Sequence, residues 1–151
     1  LGFTGVSAFL ASGNVVFEGQ GTAKAVRERL CMGLEEKLGY PVPTFIRTAH
    51  EVREVAGRDP FNARPQSSSR GKLQVAFLHE EATAAAIATV AAQSDDDDWL
   101  ALVCRELYWL PKGKLSDSGL KTRALEKLAG PMTIRTKNTI VRLTAKHFST
   151  R

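Results

Sequence analysis

Residues 73–110 read LQVAFLHEEATAAAIATVAAQSDDDDWLALVCRELYWL. LQVAFL (73–78) is a short apolar run of strand length, and EEATAAAIATVAAQ (80–93) is an alanine-rich helix. WLALVC (99–104) and ELYWL (106–110) follow so closely that they form a hairpin around Arg105. Moving outward, a helix over roughly 118–129 stops at Gly130-Pro131, where glycine and proline end helices. MTIRT (132–136) is then a strand, and Asn138 opens a last helix carrying Ile140, Val141, Leu143 and Phe148. The order β-α-β-β-α-β with a terminal helix is the split βαβ, ferredoxin-like plan. LQVAFL and ELYWL are apolar at successive positions, which implies a sheet covered on both faces.

Upstream, VSAFL (6–10) and NVVFE (14–18) flank a turn at Ala-Ser-Gly and read as a hairpin. A helix capped by Thr22 carries Val26, Leu30, Leu34 and Leu38 at fourfold spacing and ends at Gly39. TFIRT (44–48) reads as a strand and HEVREVAG (50–57) as a short helix. DPFNARPQSSSRGK (59–72), with two prolines, three serines and no periodicity, separates two units. The expectation is an α+β protein of two ferredoxin-like units: residues 1–62, a linker at 63–72, and residues 73–151. In residues 1–62 the first strand and first helix of the plan are missing. Strand one is central in this topology, so we expect either a chain cut short at its front or a gap filled by a partner.

The 151 residues are 43% hydrophobic, enough for an ordinary core. No run of 18 apolar residues and no signal peptide is present, so a cytoplasmic protein without membrane attachment is expected. Cys31 and Cys104 stand far apart with no Cys-x-x-Cys, which suggests neither a disulfide framework nor zinc. The net charge of +5 is uneven: residues 1–104 carry −3 and residues 105–151 carry +8. Clustered cations attract phosphate-bearing partners, and solvated basic helix faces are the alternative.

PKGKLSDSGLKTRALEKL (111–128) resembles a phosphate loop only superficially. Gly113-Lys114 is followed by Leu115, and no glycine stands at the offset a P-loop needs. Two readings stay open: Ser116, Asp117 or Ser118 is a helix cap, or Lys114, Ser118 and Lys121 form a looser anion site at a helix start. Arg135, Lys137 and Asn138 at the last strand-helix junction are a second candidate for holding a carboxylate or phosphate. Asp95 to Asp98 read as a solvated turn, since four consecutive acids do not converge as calcium ligands do. His50, His79 and His147 lack metal-binding spacing, and no cofactor is expected.

Ser12-Gly13-Asn14-Val15-Val16-Phe17, Asp59-Pro60-Phe61, Glu106-Leu107-Tyr108-Trp109 and Arg135-x-x-Asn138-Thr139-Ile140, in this order, resemble the bacterial domain of unknown function 1697 family. The resemblance runs over the chain and implies a beginning about one strand and one helix earlier. Ala11 stands where the family usually has Gln. Ser118-Gly119-Leu120 replaces Ser-Lys-Leu, and Arg135-Thr136-Lys137-Asn138-Thr139 replaces Arg-Asn-Trp-Asn-Thr. No activity comes with the family.

The favoured functional expectation is a non-catalytic binding module for an anionic partner, phosphate-bearing or a nucleic acid, through the basic C-terminal unit. One alternative is a small-molecule enzyme with a polar pocket between the units near Ser12, Asn14, Arg135 and Asn138. Another is a scaffold that self-associates into a homo-oligomer.

Overall fold

The computed structural model describes residues 1–11, 13–64 and 70–149. Helix and strand are mixed. Strands β1 (Thr4–Phe9) and β2 (Asn14–Glu18) form an antiparallel hairpin. Helices α1 (Ala23–Leu38) and α2 (Ala49–Gly57) follow. The second sheet contains β3 (Gln74–Leu78), β4 (Asp98–Val103), β5 (Glu106–Pro111) and β6 (Met132–Thr136) in the order β4-β5-β3-β6, every neighbour antiparallel. Helices α3 (Ala84–Ala92), α4 (Thr122–Ala129) and α5 (Lys137–His147) complete the chain.

The four-stranded sheet is a buried middle layer, as the unbroken apolar runs of β3 and β5 require. Alternate residues divide between its two faces. Ala76, Leu78, Leu107 and Trp109 meet Val90 of α3 and Leu125 of α4. Val75, Phe77, Tyr108 and Leu110 meet Val55 of α2, Phe61 and Ile140 of α5. A helix of residues 1–62 thus closes one face of the sheet formed by residues 74–136. Phe77, Tyr108 and Trp109 are all buried, so none of them offers a platform for stacking a base.

Several local expectations are corrected. TFIRT is not a strand: residues 41–48 belong to no ladder, and without a hydrogen-bonded neighbour an extended segment is not a strand. Its ends have other tasks. Thr44 meets the Cys31 thiol of α1, and Thr48 caps α2 in a reciprocal capping box with Glu51. Helix α3 begins at Ala84 behind Thr83 rather than at Glu80. Helix α4 starts at Thr122 with no side-chain cap, after a 3₁₀ turn at Leu115–Asp117, so none of Ser116, Asp117 and Ser118 caps it. Thr136, not Asn138, caps α5: its hydroxyl accepts from the Thr139 amide, and Asn138 lies inside the first turn.

The acidic run divides in two. The Asp95 carboxylate accepts from the amides of Asp97 and Asp98 and shapes a turn. Asp98 is buried, where it accepts from the Trp109 indole N–H at 2.6 Å and the Ser118 hydroxyl at 2.7 Å. It ties β4, β5 and the approach to α4 together, and a buried carboxylate needs such partners.

Candidate functional site

The Cys104-Arg105 turn between β4 and β5 lies at one end of the sheet, beside the end of β3 and the start of α2. It is a two-residue hairpin turn, with Val103 paired to Glu106 and Cys104 in left-handed backbone at φ 53°. Such turns favour glycine where φ is positive, and cysteine there is strained. The turn is fixed by its carbonyls: Cys104 O accepts from the Ala82 amide and Arg105 O from the Leu78 amide.

Arg47 reaches this turn from the extended segment before α2. Its Nε donates to Glu106 Oε1 at 2.6 Å, its Nη1 to Ile46 O, and its Nη2 to Leu78 O and Arg105 O, each at 2.9 Å. Both side chains of the pair are about 95% buried, at 4% and 5% exposure. Burial pulls the Arg47 pKa below the usual guanidinium range, while the Glu106 hydrogen bond and charge oppose it. A charge this deep persists only when its donors are satisfied, as here.

Arg105 pairs with Glu51 of α2. Burial works to raise the Glu51 pKa, yet the Thr48 amide and the Arg105 guanidinium together hold it below the usual carboxylate value. His79, just past β3, stacks on Phe45 with ring centroids 4.1 Å apart. Its Nδ1 is buried and has no hydrogen-bond partner. Burial first, then the charges of Arg27, Arg47 and Arg105, push the His79 pKa below 6.5, with Glu80 alone opposing them. The field at His79 is therefore positive.

Two adjoining clefts open here and share Glu81 and Arg105. The larger, about 350 Å³, is lined by Ala23, Lys24 and Arg27 of α1, by Ile46 and Arg47, by His79, Glu80 and Glu81, and by Arg105. Its neighbour, about 230 Å³, is lined by Glu51, Glu54, Val55, Arg58, Glu81, Cys104, Arg105 and Glu106. In the larger cleft the cations of Arg47 and Arg105 belong to the floor, whereas Glu80 and Glu81 stand exposed at the rim. Solvent screens the rim acids more than the buried cations. Arg27 lies 4.0 Å from Glu80, whose carboxylate is 86% exposed.

The residues singled out in the sequence lie elsewhere. Lys114 is exposed beyond the end of β5. Ser118 is engaged with Asp98 and the Leu120 amide, and Lys121 donates to Ser118 O. Leu115 and Leu120 pack on the α3–α4 face of the sheet, but Arg135 shares the opposite face with Val75, its partner in β3. Arg135 donates to Asn14 Oδ1 at 2.9 Å, Thr133 Oγ1 at 2.9 Å and Ile134 O at 2.8 Å, and burial lowers its pKa. The turn after β1 thus meets β6, with Gly13 close to the Arg135 guanidinium. Ser12 lies outside the described residues. Lys137 donates to Arg58 O, and Asn138 is exposed.

Sequence reasoning missed Arg47, His79 and Arg105 as a group because they are 26 or more positions apart. The one local signal was a charged residue inside each apolar run: Arg47 in TFIRT, and Arg105-Glu106 inside the hairpin. Among the described residues no three His, Cys, Asp or Glu side chains gather to hold a metal ion. Among the described residues no helix is long and apolar enough to cross a membrane.

No curated protein and no solved structure matches the chain. A family model described as "Protein of unknown function (DUF1697)" matches residues 1–108, which include α1, the Arg47–Glu106 pair, His79 and Arg105 and leave Arg135 and Asn138 outside. The chain belongs to the DUF1697 family of proteins of unknown function.

Proposed function

We propose that this chain is a non-catalytic binding domain for a small anionic ligand, and that the ligand sits in the 350 Å³ cleft between α1, the end of β3 and the β4–β5 turn. The observation that carries this reading is the convergence of Lys24, Arg27, Arg47 and Arg105 on one concavity, beside a histidine whose pKa is lowered by burial first and then by those arginines' positive charge. Arg47 and Arg105 are fixed by their partners and set the field. Lys24 and Arg27, on the first turns of α1, supply the donors that meet the ligand. Ala23 also lines the cleft, so the positive end of the α1 dipole adds to the attraction.

The exposed lysines of residues 112–127 favour diffuse attraction over a formed site, since Ser118 and Lys121 are occupied within their own loop. The fold proposed with this function is a ferredoxin-like unit over residues 74–136, supported by the β4-β5-β3-β6 order with antiparallel neighbours. Residues 1–62 supply its covering helix α2 and the α1 wall of the cleft.

Isothermal titration with inorganic phosphate tests the reading. We expect saturable binding that weakens several-fold between low and moderate salt and is largely lost in Arg27→Ala, at unchanged melting temperature. Binding that ignores both salt and Arg27 would overturn the reading.

A further inference from the structure

His79 lines the cleft, and the proposed function leaves its chemistry unassigned. Its Nδ1 is sealed from solvent with no partner. A proton there would be a buried donor with no acceptor, and a bare nitrogen there is a buried acceptor with no donor, so Nδ1 has no part in binding. Only from Nε2 can the ring offer its proton to a ligand in the cleft that His79 lines, so we place it there, and the stack on Phe45 fixes the plane in which that N–H lies.

Two further donors line the same cleft. Lys24 and Arg27 are three residues apart on α1 and so share one face of the helix. The three donors come from two parts of the fold, the first turns of α1 and the segment just past β3. A planar carboxylate offers two oxygens in one plane, whereas a tetrahedral oxyanion offers oxygens in every direction. Two cations also match a double negative charge.

We infer that the cleft takes a compact tetrahedral dianion, such as a phosphomonoester group, held between Lys24, Arg27 and the Nε2–H of a neutral His79. This rests on the reading of the cleft as an anion site and adds to it the class of ligand and the residue that selects it. His79 touches the ligand as a hydrogen-bond donor, and no bond is made or broken.

The test uses the full chain with sodium sulfate and sodium acetate as probes, at about pH 7.5 and constant ionic strength, with affinities read by calorimetry. Sulfate keeps both charges at that pH. Sulfate should bind at least about tenfold more tightly than acetate, the preference expected of a second matched charge and a third donor. His79→Phe, which keeps a ring against Phe45 but removes the donor, should weaken sulfate binding by roughly five- to tenfold, the ordinary value of one hydrogen bond. His79→Gln restores an N–H and should recover part of that loss. Nitrogen-15 spectra of the wild-type ring need no variant and should place the single proton on Nε2. Equal affinity for the two anions, undiminished sulfate binding by His79→Phe, or a ring proton on Nδ1 would each overturn the inference while leaving the anion cleft intact. Failure of the wild type to bind either anion at low salt would remove the cleft reading as well.

Discussion

At the scale of single residues, Arg47 holds the cleft in shape through four hydrogen bonds that join the segment before α2, the end of β3 and the β4–β5 turn. Removing one partner of a buried ion pair leaves the other charged and unmatched, at a cost of about 3–5 kcal/mol. We therefore expect Arg47→Met to lower stability by roughly that amount, and Arg47→Met combined with Glu106→Leu to recover most of it. Urea unfolding of the two single variants and the double variant measures this, and additive losses would contradict it. His79 yields a second prediction. Its pKa is depressed in the folded state by burial and by Arg27, Arg47 and Arg105. The unfolded chain thus binds the proton more readily, so stability is full above 6.5 and falls as the pH drops below it. His79→Phe should lose less stability than the wild type between about pH 6.5 and pH 5, as read from melting temperatures.

At the scale of elements, the sequence disclosed most where local chemistry and packing agree. The central strands β3 and β5 were legible from unbroken apolar runs, because both faces of the sheet are buried along them. Thr22 was legible as a cap, and its hydroxyl accepts from the Ala25 amide at the start of α1. TFIRT misled for the opposite reason. Its composition suits a strand, but strand formation needs a neighbour, and none pairs with it among the described residues. Ser118 misled as a cap because α4 begins only at Thr122; its hydroxyl donates to Asp98, 20 positions away, and accepts from the Leu120 amide within the loop. The β4–β5 turn carries a prediction of its own. Cys104 holds a positive φ that glycine adopts without strain. Cys104→Gly should raise stability by about 1 kcal/mol, seen as a higher melting temperature. A lower one would show that the cysteine side chain contributes more than the strain costs.

At the scale of the whole molecule, the cleft exists because residues 1–62 and 74–136 are assembled around one another. Helix α2 covers one face of the four-stranded sheet, Arg47 plugs the end of that sheet, and α1 and His79 both line the opening. None of this could be read from spacing, since the residues that meet are brought together by the fold of the entire chain. The basic charge counted in the last third of the sequence pointed to Lys114 and Lys121, while the cations that share a concavity lie at 24, 27, 47 and 105. Net charge identifies a tendency to attract anions, and shape determines where one is held.

A nitrogen-15 correlation spectrum recorded during titration with inorganic phosphate at low salt locates the ligand directly. If the cleft is the site, the largest shifts fall on the amides of residues 23–27, 46–47, 79–81 and 105, and they saturate together. Shifts concentrated instead at residues 112–127, or spread without saturation over the basic surface, would contradict the account.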